Sequence, residues 1–317
     1  MSNSLGVIKS STSLDAVKVL QPKMFLESEE ARKKKNTETV VKILSPNEIS
    51  VPINKNLFTI AHSILGTAYI AFAVIVFYFG NLGLNAQVFT KRSVISEASG
   101  ENTVSYSVAA AFPITWLVGL SFCISGLANI LNISLLRKYY FYYLTKCKSP
   151  TRWAEYLVTT GLNMAIISRV IGIDSLYLIL CLAFLYASGT SAGYWTETIA
   201  RPKNQDEWTL PRSSRLLPFG LGAIPITCAS ILLVVQYYTG YAPEVGSGEE
   251  ENSGPIQAIL WITFVLFPQF MNVLAFQQFT KPKNYQNIEL AYQVLSLVTR
   301  FTIGSILFGY ILTKDTW

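Results

Sequence analysis

The stretch Ile288–Leu312 is long and apolar enough to cross a bilayer, which takes roughly 20 mostly apolar residues, yet it carries a full charge, Arg300, near its middle. A guanidinium has a pKa above about 12 and keeps its proton. Placing it in hydrocarbon costs at least about 2.5–3.5 kcal/mol on insertion scales. Such a residue has to face other helices and have a partner. The rest of the chain is constrained by where that partner can be.

Composition supports a membrane setting. The chain has 317 residues, 51% of them hydrophobic and 14% charged, against about 25% charged in an ordinary soluble domain. The net charge of +6 comes from basic residues gathered on one side of the membrane, so no nucleic-acid partner is expected. Cys123, Cys147, Cys181 and Cys228 show no spacing of a disulfide framework or zinc site. A single histidine, His62, excludes a multi-histidine metal centre. There is no nucleophile–base pair, metal cluster or phosphate-binding glycine loop, so the chain does not read as an enzyme.

The hydropathy pattern predicts an all-α membrane protein with seven spans, at about 57–79, 108–135, 151–172, 175–196, 216–238, 256–279 and 288–312. Residues 1–55 are polar, include the run Arg32–Lys35, and read as a largely disordered cytoplasmic arm with a short helix around Leu20–Lys35. Residues 56–313 form the transmembrane domain. Orientation follows from Lys and Arg in the loops. The loop between spans two and three holds Arg137, Lys138, Lys146, Lys148 and Arg152. The loop between four and five holds Arg201, Lys203, Arg212 and Arg215, and that between six and seven Lys281 and Lys283. The opposite side carries Glu97, Glu101, Glu244 and Glu249–Glu251 with few basic residues. The N-terminus is therefore expected in the cytoplasm and the tail ending in Trp317 outside. The long outer loop 80–107 has strand-like composition at Gln87–Ile95 and Thr103–Val108, around Ser99-Gly100-Glu101-Asn102, which predicts a hairpin.

Two basic residues lie inside apolar segments. Arg169, at the outer end of span three beside Asp174, can snorkel to the interface. Arg300 has no such escape. Glu155, on span three, is the carboxylate well inside a span, while Glu289 reads as interfacial at the entrance to span seven. Both Glu155 and Arg300 lie on spans running outward from the basic side. A helical side chain leans toward its own N-terminus, so Arg300 reaches toward Glu155. Spacing of four puts Thr159 and Asn163 on the Glu155 face, and Ser296 one turn before Arg300. The result is a polar seam between spans three and seven, which His62 and Asn129 on spans one and two could extend. Aromatics such as Tyr186, Trp261 or Phe301 are candidates to fill the interior beside it.

At these residues the sequence resembles a heliorhodopsin. Arg152-Trp153-Ala154-Glu155-Tyr156 is similar to the family's Arg-Trp-x-Glu-Tyr, whose glutamate is the Schiff-base counterion. Val170-Ile171-Gly172-Ile173-Asp174 resembles its Val-Gly-Ile segment. Val294-Leu295-Ser296-Leu297-Val298 resembles the Val-Leu-Ser-Leu-Val before the retinal lysine. His62 and Asn272 fall where the family has a histidine in span one and often an asparagine in span six, and Asn129 stands where a second family histidine is expected. The resemblance covers about residues 55–312. It implies a rhodopsin-like bundle with inverted topology, a pocket for all-trans retinal and a homodimer. It also places Arg300 at the lysine position, where a Schiff base cannot form. The resulting expectation is a sensory, signalling or partner-binding membrane protein without covalent retinal. The alternatives are a light-sensing retinal photoreceptor, were position 300 lysine in the native gene, and a rhodopsin-derived ion channel along the polar seam.

Overall fold

The computed structural model describes residues 50–95, 102–240 and 250–313. The predicted helix at Leu20–Lys35, the turn residues 99–101 and the acidic residues Glu244 and Glu249 lie outside the described residues. Among those described, seven long helices alternate with shorter elements. Helix α1 spans Lys55–Phe79, α2 Ile114–Ile133, the short α3 Arg137–Leu144, α4 Pro150–Val170 and α5 Leu176–Ile199. Helix α6 spans Arg212–Gly240, α7 Glu250–Phe279 and α8 Tyr285–Leu307, the last running on into a π-turn at Phe308–Leu312.

Each long helix packs on the next in the series α1, α2, α4, α5, α6, α7 and α8, and α8 closes back on α1. Helix α4 also reaches across the ring to α7. Six of the stretches are long and apolar enough to cross a membrane, namely Lys55–Phe79, Ile114–Ile133, Leu176–Ile199, Arg212–Thr239, Gly254–Phe279 and Pro282–Leu312. Helix α4 is the long helix not among them. It carries Arg152, Glu155 and Arg169, so its polar groups have to be met by its neighbours rather than by lipid.

Local chemistry sets the ends. The Asn54 side chain caps α1, accepting from the Leu57 amide at 3.1 Å, a frequent N-cap residue in its usual role. Pro150 occupies the first turn of α4, where its missing N–H costs nothing. Prolines 218, 225, 255 and 268 lie inside α6 and α7, as membrane helices tolerate when neighbours meet the freed backbone groups.

The outer loop is a two-stranded antiparallel hairpin, β1 Asn85–Ile95 and β2 Asn102–Pro113, with a bulge between Val88 and Phe89. Leu84, Ala86 and Val88 are buried at every second position, the period of a strand with one covered face. The Phe89 amide donates to the Asp174 carbonyl at 2.8 Å, tying the hairpin to the α4–α5 turn. Here the second span corrects the sequence expectation: α2 begins at Ile114, not near residue 108. A proline disfavours helical backbone in the residue before it. Phe112 is therefore extended, and the helix opens after Pro113 with the preceding run paired to β1.

Helices α1 and α2 approach closely. A Cβ on Gly66 would meet Ile130 Cγ1 at 2.9 Å, and one on Gly126 would meet Ile70 at 2.7 Å. Small residues at these crossings let the two backbones near one another, which brings His62 beside Asn129.

Candidate functional site

Arg300 points inward from α8 and is met from three helices. Its Nη2 donates to Glu155 Oε1 at 2.7 Å and to Thr159 Oγ1 at 2.8 Å, both on α4. Its Nε donates to Ser296 Oγ at 3.1 Å on its own helix, and its Nη1 donates to Ser125 Oγ on α2. Four of the five guanidinium N–H bonds thus have protein acceptors. The Arg300 and Glu155 side chains are each 9% exposed. Thr159 also donates to the Glu155 carbonyl at 2.9 Å, one turn back on the helix. Tyr69 donates to Ser296 Oγ at 3.1 Å, and the Tyr69 and Tyr156 rings stand 5.6 and 6.0 Å from the guanidinium carbon.

The network continues through α2 toward α1. Asn129 Nδ2 donates to the Ser125 carbonyl at 2.8 Å. His62 Nδ1 lies 2.6 Å from Asn129 Oδ1, an acceptor, so Nδ1 carries the proton. His62 Nε2 then accepts from Gln293 Nε2 at 3.0 Å. This is the pattern of a neutral imidazole with both nitrogens used. The structure therefore joins six of the seven residues singled out from the sequence: Arg300, Glu155, Thr159, Ser296, Asn129 and His62. Asn163 shares the α4 side of the site but bonds elsewhere, accepting from Ser121 Oγ at 2.6 Å.

Arg300 also borders two cavities. The larger lies among Trp153, Tyr156, Tyr186, Phe267, Phe270 and Met271, with Arg300 and Asn163 among its polar lining. The second lies on the α2 side, against Phe122, Ile167 and Ile303. Of the three aromatics expected beside the seam, Tyr186 lines the larger cavity. Trp261 is exposed on the outer face of α7, and Phe301 stacks on Tyr69 instead. Asn272 faces outward and donates to Gln269 Oε1 at 3.1 Å, one turn back on α7.

The bundle holds a second buried charge cluster that the sequence does not reveal. Arg152 is fully enclosed and pairs with both Glu197 of α5 and Glu289 of α8. Glu197 also accepts from Trp153 Nε1 at 2.7 Å, the Ser149 amide at 3.1 Å and the Tyr285 hydroxyl at 3.3 Å. Glu289 accepts from Ser149 Oγ at 3.0 Å and the Tyr140 hydroxyl at 3.3 Å. Two sequence expectations are corrected here. Arg152 is not a loop residue but lies in the first turn of α4, and Glu289, at the start of the last span, is not open to its surroundings but 1% exposed. Tertiary packing folds these span ends inward, which hydropathy along the chain does not register. Arg169 does meet Asp174, at 2.9 Å.

The site residues missed from sequence are Ser125, Tyr69, Tyr156 and Gln293. A signal existed for the first: Ser121, Ser125 and Asn129 recur every four residues on an otherwise apolar helix, which aligns them on one face. Among the described residues no group of three His, Cys, Asp or Glu side chains could hold a metal ion.

Six helices long and apolar enough to cross a membrane, packed around a buried charged pair and an aromatic cavity, define a multi-pass membrane protein. A family model described as Heliorhodopsin matches residues 58–312, and the chain belongs to that family. A search of curated proteins finds no match. The family normally binds retinal and is not a known enzyme family.

Proposed function

We propose that this chain is a heliorhodopsin-family membrane protein that holds no covalent retinal and acts in sensing, signalling or partner binding, with Arg300 standing in place of the retinal-linked lysine. The observation that carries the reading is the Arg300 guanidinium held by Glu155, Thr159, Ser125 and Ser296 at the mouth of an aromatic cavity. A Schiff base requires a neutral primary amine to attack the carbonyl carbon, with loss of water. A guanidinium stays protonated and offers no such amine. Lys281 and Lys283 lie in the α7–α8 connection, paired with Asp206, and no lysine lines the cavity. The residues present therefore do not fit covalent attachment.

In this reading Glu155 is the counterion of a permanent cation rather than of a Schiff base. The charge arrangement between α4 and α8 then persists without a pigment. Helix α4 is the seventh crossing, shielded by its partners. The basic loops holding Arg137, Lys138, Arg201 and Lys203 lie in the cytoplasm with the N-terminus.

The test is an absorption spectrum after all-trans retinal is added to the purified full chain, wild type beside Arg300→Lys. Wild type is expected to give no visible band and no adduct after borohydride reduction. Arg300→Lys is expected to give both, because lysine restores the amine within the same pocket. A borohydride-stable adduct on wild type would overturn the reading.

A further inference from the structure

Between α2 and α4 the chain from Ser134 to Ser149 carries Arg137, Lys138, Lys146 and Lys148 and no acidic residue. Helix α3 lies within it and has two unlike faces. Tyr140, Phe141 and Leu144 are buried against Val51, Phe58 and Tyr285. The Tyr140 ring meets His62 edge-on at 4.9 Å, and its hydroxyl reaches Glu289. These contacts fix which way the helix is turned.

The other face is open. Arg137, Lys138, Tyr139 and Tyr142 are exposed, and so are Leu135 and Leu136 just before them, Leu135 at 84%. This face begins where α2, a stretch apolar enough to span, ends at Ser134. Leucines left in water forfeit the gain from burial. At the boundary of a bilayer they enter the acyl region, tyrosine rings lie at headgroup depth, and basic side chains meet headgroup phosphates. The exposed positive charges of Arg137 and Lys138 select against zwitterionic and for anionic headgroups.

We propose that this outward face, with Leu135, Arg137, Lys138, Tyr139 and Tyr142, is a membrane-surface site for anionic phospholipid headgroups. Arg137 and Lys138 bind the headgroup phosphate, and Leu135 and the tyrosines set the depth. Because Tyr140 joins the opposite face to His62 and Glu289, the site sits one residue from the buried network.

The experiment uses the full chain in lipid nanodiscs and reads the relative association of spin-labelled phosphatidylserine and phosphatidylcholine. Wild type is expected to prefer phosphatidylserine, and high salt should weaken that preference. Arg137→Gln with Lys138→Gln should lower it, by up to about fivefold for each charge and so up to about 25-fold for the two. Arg201→Gln with Lys203→Gln removes the same charge from another exposed loop and should leave most of the preference intact. Helix content and Tm, read on the same samples, should match wild type, since all four side chains are exposed. An equal fall in both double variants, or no fall in the first, overturns the proposal.

Discussion

Two buried arginines, Arg152 at the start of α4 and Arg300 in the middle of α8, meet the burial of a cation differently. Arg152 faces two carboxylates and lies against two aromatic rings that meet edge-to-face, with its guanidinium carbon 3.9 Å from the Tyr292 centroid and 4.8 Å from that of Trp153. Arg300 faces one carboxylate and three hydroxyls, and empty space lies beside it on both the α2 and the α5 side. The first is a staple: it joins α4, α5 and α8 at one end of the bundle, and the small space it borders with Glu289 is lined mostly by polar side chains such as His62, Asn129 and Gln293. The second is a site, because the space beside it is wider and lined largely by aromatic and aliphatic side chains, where something else can bind or move. Buried charge by itself does not separate the two, since both arginines are paired. The surroundings do.

The largest loss is expected at the staple. Arg152→Leu leaves Glu197 and Glu289 facing one another in the interior with no cation. Breaking a single buried pair costs about 3–5 kcal/mol, and here two acids lose their partner, so the fall in Tm should exceed that of any single change at Arg300. Adding Glu197→Gln and Glu289→Gln to the same chain should recover much of it, because the orphaned charges are then gone. A triple variant no better than Arg152→Leu would mean that the aromatic packing, not the charge, holds this end together.

At the site the expected loss is smaller but still large. Glu155→Ala strands Arg300 and should cost about 3–5 kcal/mol, read as Tm or as yield of folded protein. Glu155→Gln keeps an acceptor for Nη2 and should lie between Ala and wild type. The wider cavities beside Arg300 give more room for water to reach the stranded cation than the smaller space that Arg152 borders. Equal losses from Glu155→Ala and Arg152→Leu would erase the distinction between site and staple.

The same contrast explains what is legible in the sequence. Arg300 and Glu155 sit inside apolar runs, so each stands out against its neighbours. The spacing of Thr159, Asn163 and Ser296 then follows from helical geometry. Arg152, Glu197 and Glu289 all fall at the edges of apolar runs, where a charge has two ordinary explanations, loop or interface. Arg152 comes four residues after Lys148 in a basic stretch and reads as part of it. Only the fold shows that these three edges converge. The hairpin is readable from its alternating, turn-flanked composition. Its full extent is not, because residues 108–113 are apolar enough to read as the start of α2. Membrane spanning, too, reads evenly over seven segments, whereas α4 depends on its neighbours for the polar groups it carries.

The smallest effect is expected at an ion pair that shares neither setting. Asp206 lies in the α5–α6 connection and holds Lys283 at 2.9 Å and Lys281 at 3.3 Å, with all three side chains about half exposed. Hydrogen bonds from Lys283 and then Lys281 hold the Asp206 carboxyl below its ordinary value. A carboxylate with a lowered folded-state pKa adds stability above its unfolded value, about 3.9, and that contribution goes as pH falls through the lowered one. The contact therefore stands at neutral pH and loosens only in acid, and salt screens it throughout. Asp206→Asn should leave Tm at neutral pH unchanged within error, since exposed pairs contribute little. Any small wild-type advantage lies at neutral pH, and the two Tm-against-pH curves should converge as pH falls through the lowered Asp206 value. A fall at neutral pH as large as that of Glu155→Ala would show that burial is not what gives Arg300 and Arg152 their weight.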